Sequence, residues 1–208
     1  ENSPDLPFVY VRALLADEAN QTLWVGHQNG LSAYSNGLWQ TYTHKDGLPD
    51  AWVNALMLDS AGRLWVGTNS GVAIHESTGW RILTQADGLL GDMVNVILED
   101  RIGGIWLGSY IAPRGGISYL KNDIWQYYTI ENGLPHNNIT SLIETSDGYL
   151  WAGCGLNDRG GAVRFSFDGE NWEIDRSLNK NDGLAGEKVR SLFEDLGIIW
   201  FGSEYDGL

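Results

Sequence analysis

Short runs of mainly hydrophobic residues, separated by glycine and aspartate, recur along the 208-residue chain. The most apolar run of each unit has five copies: VRALLAD (11–17), VNALMLD (53–59), VNVILED (94–100), ITSLIET (139–145) and VRSLFED (189–195). Runs of this length that are rich in β-branched and aromatic residues and bounded by turn residues predict antiparallel strands. No segment carries a convincing helical pattern, so the sequence predicts an all-β protein.

A tryptophan motif sets the period of these runs. Leu/Ile-Trp-x-Gly occurs at 23–26, 64–67, 105–108, 150–153 and 199–202. The five tryptophans are therefore 41, 41, 45 and 49 residues apart. In each full unit a third strand follows, a second tryptophan opens a fourth strand, and a Gly-Leu turn closes the unit. Four short strands in each repeat of about 41–49 residues are typical of a β-propeller blade.

The predicted fold is a β-propeller of four-stranded antiparallel blades, with residues 1–208 as a single propeller segment. Its blades are expected at about 8–45, 50–86, 91–131 and 136–178, with a partial blade at 186–208. Four blades and half of a fifth give an open or partial ring whose apolar blade faces need cover. We therefore expect self-association, or further blades that complete the ring. The motif tryptophans should be buried between blades: Trp24, Trp65, Trp106, Trp151 and Trp200.

The unit GLPDAWVNALMLDSAGRLWVGTNSGV (47–72) resembles the two-component regulator propeller repeat. Such repeats build the extracytoplasmic sensor portions of bacterial hybrid histidine kinases and some diguanylate cyclases. The resemblance therefore implies a seven-bladed ring, a sensing role and a periplasmic location within a membrane receptor, while a cytoplasmic location stays open. The family fixes no catalytic residues, so the resemblance implies none.

Composition narrows the range of partners and cofactors. Thirteen basic and twenty-seven acidic residues give a net charge of −14, which disfavours a nucleic-acid partner. One cysteine excludes an internal disulfide framework and a thiolate zinc site, and the four histidines lack metal-ligand spacing. No apolar run approaches the roughly 18 residues of a membrane span. The sequence predicts no metal, no cofactor and no membrane insertion by this segment.

Candidate binding residues lie where the repeats differ, because variation in a repeat array concentrates in loops of the binding face. The loop between the second and third strands lengthens in the third and fourth repeats. Each insertion places an arginine before Gly-Gly, at Arg114 and Arg159. Two guanidiniums on adjacent blades could clamp a carboxylate or sulfate. The alternative is that each arginine pairs with a local acid such as Asp158.

A second group of candidates surrounds the start of each first strand. Trp52 is the one tryptophan outside the repeat positions, and an aromatic side chain at a pocket rim suits stacking on a sugar. Packing against a neighbouring loop is the alternative. The polar residues one position further into the strand either line the central channel of the predicted propeller or form hydrogen bonds between blades. The other candidates of this group are Tyr10, Arg12, His136, Asn138, Lys188 and Arg190.

These features favour a non-catalytic sensor propeller that binds an oligosaccharide or another polar ligand, an anionic one if the arginines contact it. A scaffold propeller that docks a protein is the alternative, and a propeller lyase or glycosidase is less favoured. Those enzymes need histidines or carboxylates that converge on one pocket. The acidic pairs here, such as Glu99-Asp100 and Glu194-Asp195, recur at the first-strand exit and are interpreted as turn residues.

Overall fold

A computed structural model describes residues 10–110, 114–204, 206 and 207. Within these residues every regular element is a β-strand, apart from four short 3₁₀ turns. Within the propeller segment, residues up to Ile97 form one compact unit and residues from Leu98 form a second.

Consecutive strands form antiparallel sheets, and each sheet keeps the order of the chain. The first two sheets comprise β1 (Val11–Asp17), β2 (Thr22–His27), β3 (Gly30–Ser35) and β4 (Leu38–Tyr42), then β5 (Val53–Leu58), β6 (Leu64–Thr68), β7 (Gly71–Glu76) and β8 (Gly79–Leu83). The next two comprise β9 (Val94–Glu99), β10 (Ile105–Ser109), β11 (Ile117–Lys121) and β12 (Ile124–Tyr128), then β13 (Ile139–Glu144), β14 (Leu150–Leu156), β15 (Arg159–Phe167) and β16 (Trp172–Leu178). The fifth pairs β17 (Val189–Asp195) with β18 (Ile198–Ser203). This confirms the all-β fold class: four four-stranded blades and a two-stranded fifth.

The Gly-Leu turn after each four-stranded sheet has one repeated construction. In the first, the Thr43 side chain accepts a hydrogen bond from the Lys45 N–H, and the Asp46 carboxylate accepts one from the Thr43 N–H. A glycine with positive φ then ends the turn, because a side chain is strained in that conformation. These glycines are Gly47, Gly88, Gly133 and Gly183, with φ of 105°, 117°, 115° and 103°.

The aspartate that ends the first strand holds the motif tryptophan. Asp59 accepts hydrogen bonds from Trp65 Nε1 at 2.8 Å and from the Arg63 backbone N–H at 2.8 Å. Burial favours the protonated carboxyl, but these donors and the Arg63 guanidinium outweigh it and hold the pKa of Asp59 below its ordinary value. Asp100 likewise accepts from Trp106 Nε1 at 2.9 Å. These hydrogen bonds agree with the interpretation of the acidic residues at the end of each first strand as structural turn residues.

Three of the five motif tryptophans are buried: Trp65, Trp106 and Trp151 are 1, 0 and 4 % exposed. Trp151 packs edge to face on Phe201 of the next sheet, with ring centroids 5.3 Å apart. The prediction was wrong for Trp200, which is 46 % exposed, and Trp24 is only half-buried. Among the described residues no later sheet covers Trp200, because β17–β18 is the last hairpin.

A buried histidine in the first unit predicts a pH-dependent stability. His27 is 1 % exposed, its Nδ1 accepts the Asn29 N–H at 3.2 Å, and its Nε2 lies 2.9 Å from Ser32 Oγ. Since Nδ1 is an acceptor, the neutral ring carries its proton on Nε2 and donates it to Ser32. Burial lowers the pKa of His27 below its ordinary 6.5. The neutral His27 ring therefore donates a hydrogen bond to Ser32 Oγ and does not act as a base that deprotonates it.

The free energy of unfolding should fall as the pH drops below about 6.5, because the unfolded chain binds the proton that the folded His27 resists. His27→Thr should make this fall shallower. Thr68 occupies the matching position of the second sheet, and its hydroxyl accepts the Ser70 N–H as His27 accepts that of Asn29. Urea unfolding of both proteins at about pH 7.5 and 5.5 gives the loss of unfolding free energy between the two pH values. An equal loss in the wild type and in His27→Thr would contradict the assignment.

Candidate functional site

A recurring β-bulge places the polar residues near the start of each first strand. The register between the first and second strands shifts at residues 12, 54, 140 and 190. A bulge turns a side chain away from the regular alternation of the strand. The Thr140 hydroxyl reaches the carbonyl oxygens of Gly153, at 2.9 Å, and of Val189 in the next sheet. Thr140 therefore fits hydrogen bonding between blades, whereas the side chains of Arg12 and Arg190 are exposed.

The residue that enters the first strand is fixed by its backbone to the end of the second strand. The carbonyl oxygens of Trp52, Asn138 and Lys188 accept from the N–H groups of Asn69, Gly155 and Glu204, at 3.3, 2.9 and 3.3 Å. The predicted binding residues Asn138 and Lys188 are only 1 and 6 % exposed, whereas Trp52, which makes the same backbone bond, is 43 % exposed. The bond therefore fixes the backbone of the entering residue but does not by itself bury its side chain.

In the first unit the structure brings two predicted residues together. The Arg12 guanidinium carbon lies 5.9 Å from the centre of the Trp52 ring. The Trp52 side chain is 43 % exposed, and the Trp52 backbone N–H donates to Asp50 Oδ1 at 2.7 Å. Tyr10, 74 % exposed, precedes β1. Arg12 and Trp52 thus form a surface cation–π pair, which leaves indole surface open to stacking.

The fourth repeat does not contain the long loop that its insertion predicted at 153–162. Instead β14 and β15 extend as a paired hairpin, and only Asn157 and Asp158 form the turn between them. Arg159 pairs with Leu156 and is exposed. Arg114 is also exposed, and residues 111–113 of the third-repeat insertion lie outside the described residues.

Glycines explain both the pairing and the position of this hairpin. Gly155 and Gly160 have φ of 145° and 154°, values that other residues rarely adopt. A Cβ on Gly160 would lie 2.6 Å from the Glu187 carbonyl oxygen, and one on Gly155 would lie 2.9 Å from Lys188 Cα. The glycines therefore let the hairpin lie directly against the segment that enters β17.

A cavity of about 500 Å³ opens beside this contact, wholly within the second unit. Its wall combines the β14–β15 turn, the 3₁₀ turn after β16, the segment before β17 and residues at and after the end of β18. The lining residues are Asn157, Asp158, Lys180, Glu187, Lys188, Ser203 and Asp206. This is a polar cleft large enough for a sugar-sized molecule.

Lys188 is the predicted residue that the structure places in the cavity wall. Its ammonium group forms an ion pair with Glu204 and lies 5.9 Å from the centre of the Tyr110 ring. An ammonium group this deeply buried is tolerated because a carboxylate pairs with it. The site therefore contains a fixed positive charge whose partner is already present.

His136, Asn138 and Arg159 form a second group next to the hairpin. His136 Nδ1 accepts the Asn138 N–H at 2.9 Å, so the neutral ring carries its proton on Nε2. Burial, and secondly the Arg159 guanidinium, hold the pKa of His136 below its ordinary value. Asn138 is buried and supports this turn, whereas Arg159 faces solvent.

Sequence reasoning missed most of the cavity wall. The sequence pattern indicates none of Glu187, Lys180, Ser203 and Asp206, and it offers Asp158 only as a partner for Arg159. The available signal was adjacency: Glu187 directly precedes the entering residue Lys188, and Asp158 directly precedes Arg159. Conversely, Arg114, Tyr10 and Arg190 are exposed and do not line the cavity.

The described residues offer little for covalent or metal chemistry. They contain no group of three or more His, Cys, Asp or Glu side chains that could hold a metal ion. Cys154 is fully buried, and burial raises the pKa of its thiol to about 12, which makes it a packed side chain and not a nucleophile.

Comparison with known families identifies the repeat. Residues 47–70 and 133–155 match the family model of the two component regulator propeller. Two repeats of the chain are therefore similar to the two component regulator propeller repeat. The resemblance seen in the sequence is thereby confirmed, in the second and fourth repeats. No curated protein sequence matches the chain.

Solved structures share the fold. Two chains named as extracellular domains of hybrid two component systems of B. thetaiotaomicron match with TM-scores of 0.78 and 0.69, at 23 and 22 % identity. The matches cover 95 and 97 % of this chain but 27 and 26 % of theirs, so the chain spans about a quarter of their length. A gluconolactonase of Xanthomonas campestris matches with a TM-score of 0.65 at 16 % identity, over 94 % of this chain and 70 % of the enzyme.

No helix among the described residues is both long and apolar enough to cross a membrane.

Proposed function

We propose that this chain is part of the extracytoplasmic, non-catalytic sensor region of a bacterial signalling receptor, and that it binds an oligosaccharide or another polar small molecule. The regulator propeller repeats support the signalling role. The likeness to extracellular domains of hybrid two component systems supports the location. The gluconolactonase shares the fold at only 16 % identity, and a shared fold does not by itself indicate a shared reaction.

The observation that carries the proposal is the cavity lined by Lys188. It is polar, it is formed by loops of neighbouring sheets, and its volume of about 500 Å³ suits one or two sugar rings. All its lining residues carry hydrogen-bonding groups, which suits recognition of hydroxyl groups, and the aliphatic parts of the same side chains offer contact for the apolar faces of a sugar ring. The exposed Trp52–Arg12 pair is a second surface on which a sugar could stack.

An exposed apolar surface favours a second candidate function, docking of a protein. On β17–β18, Phe193 is 64 % and Ile198 59 % exposed, beside the half-exposed Trp200. Contiguous exposed apolar side chains are typical of interaction surfaces. The hairpin β17–β18 itself covers Trp151 of the preceding sheet. We propose that further blades, or a second copy of the chain, cover β17–β18 in the same way.

The test of the sensor proposal is binding of the chain to an array of defined neutral, amino and uronic oligosaccharides. We expect at least one to bind, and Asp158→Trp to weaken it by about tenfold or more, because an indole at the β14–β15 turn fills the cavity mouth. Glu131→Trp, at an exposed position outside the cavity, is the matched control and should bind as the wild type does.

Two outcomes would contradict the proposal in different ways. Absence of binding to every oligosaccharide would remove the sensor function in this form and favour protein docking. Binding that survives Asp158→Trp would place the site elsewhere, and Trp52→Ala, Arg114→Ala and Arg159→Ala would then identify the surface involved.

A further inference from the structure

The cavity contains both signs of charge, but its positive charges already have partners. The Lys188 ammonium is paired with Glu204, and Lys180 Nζ lies 3.9 Å from Asp206 Oδ2. A bound anion would have to compete with these carboxylates for the same ammonium groups. The lysines therefore add little attraction for a negatively charged ligand.

Two carboxylates of the cavity wall, in contrast to the two lysines, have no partner among the described residues. Within the part of the chain that the structure describes, Asp158 and Glu187 have no hydrogen-bond or ion-pair partner. Asp158 is exposed at the β14–β15 turn and Glu187 is half-buried, on either side of the close contact at Gly160. An ionised carboxylate only accepts hydrogen bonds, so the vacant capacity of the wall is for ligand groups that donate.

We propose that the cavity selects sugars that donate hydrogen bonds and carry no negative charge, and that it binds an amino sugar more tightly than its neutral counterpart. Sugar hydroxyls and ammonium groups donate to Asp158 and Glu187, and an ammonium group gains a charge-assisted hydrogen bond. A uronate or sulfate group would be repelled by the same carboxylates in a chain of net charge −14. A neutral or amino sugar thus replaces the anionic ligand that the arginines suggested, since neither Arg114 nor Arg159 lines the cavity.

This inference rests on the proposed function, and the two are tested together with matched oligosaccharides. Each set holds three hexamers of one linkage, for example β-1,4-linked glucose, glucosamine and glucuronate, and a second set has α-1,4 linkages. Titration calorimetry at low salt should rank the amino form first and the uronate last, with about a tenfold difference in Kd between them. The double variant Asp158→Asn, Glu187→Gln should abolish most of this difference, whereas Glu131→Gln should retain it.

The outcomes separate the two proposals. If a set binds and the uronate is tightest, or if the ranking survives in the double variant, the charge selectivity is wrong while the sensor function stands. If no member of any set binds, the oligosaccharide function fails together with the inference. Unchanged thermal unfolding of the double variant shows that a lost ranking reflects the site and not the fold.

Discussion

Trp106→Ala is expected to lower the free energy of unfolding by about 3–5 kcal/mol. The Trp106 ring is completely buried and lies 4.8–5.6 Å from four other aromatic rings, measured between centroids. Its Nε1 donates to Asp100, which also accepts from Trp172 Nε1 at 3.0 Å. Truncation therefore leaves a large cavity between the third and fourth sheets and removes one donor from a buried carboxylate.

Equilibrium urea unfolding measures this loss, and Trp200→Ala is its internal control. Trp200 occupies the same repeat position but is 46 % exposed, so its truncation should cost less than half as much. Equal losses at the two positions would show that burial between sheets does not determine the energy of the motif tryptophan. A loss below about 1 kcal/mol at Trp106 would contradict the role of this residue in the core.

The blade architecture could be predicted from the sequence because its signals are local and repeated. The Leu/Ile-Trp-x-Gly motif defines the second strand, and glycines such as Gly47 mark turns that only a positive φ allows. Burial of the motif tryptophans was predictable only in part. It depends on the presence of a neighbouring sheet, and Trp200 has the same local sequence pattern as Trp151 without the covering hairpin.

The candidate site was less predictable, because no single segment forms it. Lys188 was selected for its position at the start of a first strand, but the cavity also needs Asp158, Lys180 and Asp206 from three other segments. The Gly-Gly pair after Arg159 was associated with an arginine loop. In the structure it allows a backbone contact between the hairpin and Glu187, which only the fold reveals.

Gly160→Ala should destabilise the chain by about 2–4 kcal/mol and should also weaken binding in the cavity. The φ of Gly160 is 154°, and an added Cβ would meet the carbonyl oxygens of Cys154 and Glu187. Both are backbone atoms, which cannot move aside as a flexible side chain does. The β14–β15 pairing must therefore distort, and the hairpin must also move away from the Glu187–Lys188 segment, so the cavity wall changes shape.

Gly169→Ala separates this contact from backbone strain alone. Gly169 also has a positive φ, of 109°, but its added Cβ would meet nothing within 4 Å. This control should cost only about 1 kcal/mol and leave ligand binding unchanged. Urea unfolding and titration of both variants test the argument: equal losses of stability would mean that the Gly160 contact contributes nothing, and full binding by Gly160→Ala would mean that the hairpin does not shape the cavity.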